Sequence, residues 1–179
     1  MIERDGVRLR RAEWEDVGFL VDLLTHDEVE PFLAGSAAPD RSDLLDEIDR
    51  SLAEPSDFGR FVIEVEDGGS WRRAGAVGFE VGNRRSRIVF LRRLAVHPDF
   101  RGRRLGDEAA RLLQRYLIFD LGYHRLELEV YGFNERALAH AERAGFVREG
   151  VKRRAYLRDG DWVDGVLFGL TREDLDSRR

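Results

Sequence analysis

Cysteine is absent from this 179-residue chain. That absence excludes disulfides, thiolate metal sites and any covalent thioester on the protein. Histidine is scarce: His26, His97, His124 and His140 are scattered with no metal-ligand spacing, so no metal is expected. No stretch approaches the length of a membrane span, and Met1-Ile2-Glu3-Arg4 offers no apolar signal region. The phosphate-loop Gly-Lys-Ser/Thr is missing, which argues against a transferred phosphoryl group. Basic excess is lacking too: 30 Lys+Arg against 35 Asp+Glu leave a net charge of −5, unsuited to sequence-independent nucleic-acid binding. The expectation is a cytoplasmic, metal-free protein that engages neither nucleic acid nor membrane.

What is present suffices for one domain, 1–179, with a buried core and no internal repeat. Val7-Arg8-Leu9-Arg10 alternates as a short strand does. Residues 13–24 place Trp14, Val17, Phe19, Leu20, Leu23 and Leu24 at helical spacing. Pro31 and the run 35–39 interrupt before a second helix over 42–52, with Ser42 as N-cap and Leu44, Leu45, Ile48 and Leu52 on one stripe. Residues 61–66 and 74–81 read as strands joined near Asp67-Gly68-Gly69. Gly82-Asn83 marks the next turn, and 88–96 is a third strand. A helix over 105–119 ends near Gly122. An alternating strand (126–130), a short helix capped by Asn134 and closed by Gly145, and a hairpin about Asp159-Gly160 complete the chain. The fold class is α+β: a mixed, mostly antiparallel central sheet with helices on both faces.

The most informative segment is 94–106, Leu-Ala-Val-His-Pro-Asp-Phe-Arg-Gly-Arg-Arg-Leu-Gly. An apolar strand runs into a turn, a Gly/Arg-rich loop and a long amphipathic helix. That order aims backbone N–H groups and the positive end of a helix dipole at one point, where arginines are added. A solvated basic turn would share the short pattern, but the strand before it and the helix after it are what a phosphate or pyrophosphate site requires. Asn134-Glu135-Arg136-Ala137 and Glu142-Arg143-Ala144-Gly145-Phe146 read by themselves as an Asn-capped, Gly-terminated helix with Phe146 in the core.

Together these segments resemble the GCN5-related N-acetyltransferase (GNAT) family. Its strand, pyrophosphate loop Arg/Gln-x-x-Gly-x-Gly/Ala and helix look like 94–119, and its Asn-x-x-Ala/Ser and Glu-Lys-x-Gly-Phe elements look like 134–146. The closing Gly150…Arg154-x-Tyr156…Asp159-Gly160-x-Trp162-x-Asp164 and the opening Leu9-Arg10…Glu15-Asp16 resemble the branch that acetylates ribosomal-protein N-termini (RimJ/RimL-like). The resemblance implies acetyl-coenzyme A as donor. It implies that the backbone of Leu94, Ala95 and Val96 pairs with the pantetheine arm as an added strand would. It implies a pyrophosphate held by Arg101, Gly102, Arg103, Arg104, Leu105, Gly106 and Asp107, with Asn134 and Arg143 touching the cofactor from the next helix. Strand-edge homodimers occur in the family.

The chain also departs from the family pattern. Arg104 stands where the loop usually has its first Gly; it is expected to keep helical dihedrals, φ below zero, and to add a charge-assisted bond. Ala141 stands where many members carry a tyrosine that protonates the leaving thiolate, an acid the N-terminus-acetylating branch often lacks too. Arg87 lies near where some members place a glutamate base. The remaining base candidates are Glu80 and, pointing away from Leu126, Leu128 and Val130, Glu127 or Glu129, acting directly or through a water. Ion-paired surface carboxylates would show the same pattern.

The neutral amine is the attacking species, so acceptor pKa matters. An α-amine of pKa ~8 is about a fifth neutral at pH 7.4, against about a thousandth for a lysine side chain near 10.4. A site without an obvious strong base therefore favours a peptide or protein α-amine. Asp27, Glu28 and Glu30 fall in the inter-helix region that by resemblance walls the acceptor cleft. They would attract a cationic peptide N-terminus, a polyamine or an aminoglycoside, although a solvated acidic face would look alike. The reading is acetyl transfer to a primary amine by direct attack in a ternary complex, with a non-catalytic acyl-CoA sensor as the rival class. Succinyl transfer would need only a roomier, more basic pocket. With no cysteine to carry an acyl group, protein denatured after exposure to radiolabelled acetyl-CoA is expected to retain no label; retained label would establish an acyl-enzyme route.

Overall fold

The structure, a computed structural model, describes residues 1–34 and 38–176, so part of the interrupting run 35–39 lies outside the described residues. Eight strands form one sheet in the order β1-β2-β3-β4-β5-β6-β8-β7. They are β1 (Ile2–Arg4), β2 (Val7–Arg11), β3 (Phe58–Asp67), β4 (Ser70–Asn83), β5 (Ile88–Val96), β6 (Arg125–Tyr131), β7 (Val147–Arg158) and β8 (Asp161–Thr171). Every pairing is antiparallel except β5 with β6. The helices are α1 (Val17–Leu24), α2 (Arg41–Ala53), α3 (Leu105–Arg115), α4 (Glu135–Arg143) and the short α5 (Arg172–Asp176).

Alternation along the strands splits the apolar residues into two cores, one on each face. On one face Phe61, Ile63, Val77 and Phe79 pack with Leu105, Leu113 and Leu117 of the α3 segment and Ala141 of α4. On the other, Val62, Ala76 and Ala95 pack under Leu20 and Leu24 of α1 and Leu44 and Ile48 of α2. β3 is buried on both faces over its first eight residues, and its two charged side chains there, Arg60 and Glu64, are held in ion pairs with Glu47 and Arg8.

Several boundaries differ from the sequence expectation, each for a local reason. The first helix opens as a tight turn, Trp14–Asp16, before α1. The cap of α2 is Asp40, not Ser42: Asp40 Oδ1 accepts from the Asp43 N–H at 2.9 Å, and Asp43 accepts from the Asp40 N–H at 3.0 Å. This reciprocal box satisfies two otherwise orphaned donors, which one serine could not do. β4 runs through Gly82-Asn83, and the turn falls at 84–87. The 105–119 helix is α-helical for eleven residues and then widens into a π-turn, Tyr116–Asp120, closed by Leu121 N–H donating to the Tyr116 carbonyl at 3.0 Å. Asn134 caps α4 as expected, accepting from the Ala137 N–H at 3.1 Å. Asp159 and Gly160 have φ of 50° and 88°, as a two-residue hairpin turn requires.

One buried ion cluster ties the N-terminal segment to the sheet. Asp16, fully buried, accepts from Arg10 at 2.8 and 3.0 Å, from the Glu13 N–H at 2.8 Å, and pairs with Arg73 at 2.8 Å. Burial opposes its ionisation, but Arg10, the Glu13 amide and Arg73 outweigh it and hold the Asp16 carboxyl below its ordinary range. Asp16→Ala is expected to lower unfolding stability at neutral pH by about 3 kcal/mol, because two guanidinium groups lose their buried partner. A depressed pKa gives stability that is present above the ordinary carboxylate range and lost as pH falls through the folded value. The wild-type advantage in denaturant titrations should therefore narrow in acid.

Candidate active site

β5 and β6 are held together by only three residue pairs, Ile88↔Arg125, Val89↔Leu126 and Phe90↔Glu127. Beyond them the strands part. The backbone of Leu94, Ala95 and Val96 therefore has no strand partner among the described residues on the side away from β4. β5 spans the expected residues, 88–96, but carries a bulge that was not expected. Its register against β4 slips between Gly78↔Arg92 and Ala76↔Ala95, so Arg93 and Leu94 together face Val77. Arg93 takes a left-handed φ of 51° at this bulge, and its guanidinium donates to Glu47 of α2 at 2.7 Å.

The Gly/Arg loop leads straight from that open edge into α3. Residues 102–106 direct backbone N–H groups that have no acceptor among the described residues. Arg104 is a correction to the expected helical dihedrals: it is the N-cap of α3, with φ 56° and ψ 21°. The chain must reverse there to enter the helix, a conformation that costs a non-glycine residue roughly 1–2 kcal/mol. Its guanidinium is exposed and makes no bond to the described residues, and Arg103, also exposed, lies over the Phe100 ring. A Cβ at Gly106 would meet only His140 and Val96, at 3.6 Å or more, so packing alone does not demand glycine there. Leu105 is buried in the core. These free amides, exposed arginines and the open strand edge suit a diphosphate joined to an amide-bearing arm.

The remaining cofactor candidates are committed elsewhere in part. Asp107 is bound by His140 of α4 at 2.9 Å and lies 3.5 Å from Arg143. Burial pushes the His140 imidazole pKa down against the pull of Asp107. Asn134 uses its oxygen as the α4 cap and its amide to reach the Phe32 carbonyl at 3.4 Å. Arg101 turns toward the acceptor side, donating to the Glu28 carboxylate at 2.5 Å and the Glu28 carbonyl at 2.9 Å. Glu30 pairs with Arg158 at 3.3 Å, and Asp27 is exposed.

The candidate bases occupy different surroundings. Glu80 gives one oxygen to Arg50 at 2.9 Å and the other to Arg92 at 3.0 Å, in a cleft of about 280 Å³ that Glu47, Arg60 and Arg93 also line. Glu127 is tied to Arg125 at 2.6 Å. Glu129 gives Oε2 to Lys152 at 2.7 Å, while its Oε1 is buried with no partner. Continuing the β5–β6 register two residues past Phe90↔Glu127 brings Glu129 level with Arg92, beside the bulge and across the opening. Arg87 sits in the turn before β5, with φ 51°, not on the strand. Ala141 is buried on the α3–α4 face. Sequence reading missed Lys152 of β7 as the partner of Glu129 and Tyr156 of β7 as its neighbour. The only signal was Gly165, opposite both Tyr131 and Lys152, where a side chain would otherwise stand between them.

A family model described as an acetyltransferase (GNAT) domain matches residues 7–147. The chain belongs to the GNAT acetyltransferase family. It is 27% identical over 162 residues to the spermidine N(1)-acetyltransferase of Escherichia coli K12, covering 90% of this chain and 83% of that one. It is 32% identical over 83 residues to the prophage-derived N-acetyltransferase YokL of Bacillus subtilis; the match spans 46% of this chain and about half, 47%, of that relative. In shape it is similar to the spermidine N-acetyltransferase of Vibrio cholerae solved with CoA and spermine, at a TM-score of 0.83 and 19% identity over 94% of this chain and 97% of that one. The α+β fold is the GNAT fold. Among the described residues no helix is long and apolar enough to cross a membrane. Arg104→Gly should separate the two properties of this GNAT loop: the apo protein gains up to about 1 kcal/mol from relief of the left-handed residue. CoA affinity by calorimetry should weaken, since a guanidinium free to meet phosphate is removed.

Proposed function

We propose that residues 1–179 act as one N-acetyltransferase domain whose acceptor is a primary amine of the polyamine class. The observation that carries the acceptor class is the 27% identity, over 90% of the chain, to a protein named as a spermidine acetyltransferase. The loop 101–107 holds the donor's diphosphate through the free amides of 102–106, with Arg103 and Arg104 adding charge. The open edge of Leu94–Val96 pairs with the pantetheine arm and orients it toward the β5 bulge. The thioester supplies an activated acetyl group, and the chain's task is to position the amine and handle its proton.

Glu129 is the best proton acceptor of the three glutamates first considered, Glu127 being tied to Arg125. Both Glu80 oxygens are taken by arginines, whereas Glu129 keeps one free and stands level with the bulge. The acidic acceptor wall depends on Arg101. When its guanidinium turns to the diphosphate it releases Glu28, and a carboxylate becomes available to a polycation only once the donor is in place. This favours an ordered sequence, donor first.

A second reading keeps the peptide or protein α-amine as acceptor, in line with the RimJ/RimL-like tail. Its support is that Glu28 and Glu30 are both neutralised by arginine here, which weakens the attraction for a multiply charged amine. Free-thiol release from acetyl-CoA, run against spermidine, spermine, aminoglycosides and a set of peptide N-termini with succinyl-CoA in parallel, distinguishes them. Release with the polyamines is expected. Release with peptides alone transfers the assignment to the second reading, and silence on every amine, with CoA still raising the melting temperature, returns the sensor.

A further inference from the structure

Family members commonly place the thiolate's proton donor on α4, and here that position is Ala141, buried in the core of the α3–α4 face. A tyrosine instead lies beside Glu129 of β6, the strand that borders the opening. Tyr156 belongs to β7, two strands away from β6 in the order β6-β8-β7. It crosses β8 only because residue 165 is glycine: a Cβ there would lie 2.8 Å from the Tyr156 ring and 2.0 Å from Glu129 Oε1. Tyr156 and Glu129 thus share the space that a side chain on β8 would fill. The Tyr131 ring braces Tyr156 edge-on at 5.5 Å. Lys152, the only lysine in a chain with 30 basic residues, fixes the far oxygen of Glu129 at 2.7 Å.

From this arrangement we infer that Tyr156 is a catalytic residue of acetyl transfer, giving its hydroxyl proton to the departing sulfur in place of a tyrosine on α4. This rests on the transferase activity and not on the identity of the acceptor. As the amine nitrogen bonds to the thioester carbonyl carbon, Glu129 Oε1 takes the proton that the nitrogen sheds. As the C–S bond breaks and its electron pair goes to sulfur, the Tyr156 O–H supplies the proton that makes the free thiol. The phenolate is then restored by the proton held on neighbouring Glu129, so the cluster ends as it began. Burial and the adjacent Glu129 carboxylate push the Tyr156 hydroxyl's pKa up, against the lowering effect of Lys152, so it remains a proton donor through the neutral range. Lys152, whose own pKa is raised mainly by Glu129, stays charged beside it.

The test has an arm that needs no acceptor. The thiol of bound CoA is titrated by thiolate absorbance in wild type, Tyr156→Phe and Gly165→Ala, the last displacing both Tyr156 and Glu129 without deleting the hydroxyl. A donor at sulfur stabilises the thiolate, so both variants should raise the bound thiol's pKa by about one unit, a tenfold change. With a working acceptor, both should lower kcat about a hundredfold while leaving KM for acetyl-CoA unchanged. That deficit should shrink on the selenium analogue of acetyl-CoA, whose leaving group needs no proton. Equal thiol pKa values in wild type and Tyr156→Phe, or a deficit of the same size on both esters, overturn the role of Tyr156. A silent amine panel combined with the expected thiol shift overturns the transferase reading, and with it the catalytic role, while leaving Tyr156 as a donor at sulfur.

Discussion

The separation of β5 from β6 is the constraint on which the rest of the structure depends. Three parallel pairs fix the two strands at one end, and antiparallel neighbours, β4 on one side and β8 on the other, fix each of them along its length. The sheet can then remain one continuous body while its centre opens. An open parallel pair leaves peptide groups unpaired in the middle of a sheet, which a folded protein tolerates only where something else will satisfy them. In the proposed reading that something is the amide-bearing arm of the donor. The same opening gives a reactant in the gap two faces, one under α3 and α4 and the other under α1, α2 and the β7–β8 hairpin.

Arginine carries much of the geometry around that opening. Among the described residues, four of the six non-glycine positions with positive φ are Arg87, Arg93, Arg104 and Arg154. Arg93 and Arg104 flank the donor path, at the bulge and at the cap of α3. Left-handed arginine is strained in a way glycine is not, and such strain persists only where surrounding contacts fix it. Arg93 is fixed by Glu47, which also holds buried Arg60 at 2.5 Å. Arg104 has no such anchor, so the cost at the loop is borne by the fold around it and offset when an anion meets the guanidinium.

Much of the fold was legible because its signals are local. The apolar run at 88–96, the Asn134 cap and Gly145 stop of α4, and the Asp159-Gly160 turn each depend on neighbours within a few residues. The strand, loop and helix of the proposed donor site were legible for the same reason, since they follow one another directly. What escaped depends on contacts between distant segments. The bulge at Arg93 follows from how β5 must match β4, and two adjacent arginines on a strand give no hint of it. The αL cap at Arg104 replaces the glycine that would have announced it. The cluster of Glu129, Lys152, Tyr156 and Gly165 draws on three strands, with sequence separations that periodicity cannot connect. Glu80 and Glu129 looked equivalent as alternating glutamates, and only their arginine and lysine partners tell them apart.

Arg101 joins the two halves of the site. In the proposed reading it serves the donor's diphosphate, yet it also holds both the carboxylate and the carbonyl of Glu28. One guanidinium cannot face a diphosphate and keep both bonds to Glu28. On that reading the proposed acceptor wall and donor loop are alternatives for the same charge, and the cost of freeing Glu28 is offset by the stronger pairing of arginine with phosphate. Glu30, held by Arg158 of the hairpin, has no such competitor in the donor loop. The acidity of the 27–30 segment is thus split: one carboxylate answers to the donor, and the other stays part of the framework that joins the acceptor segment to β7.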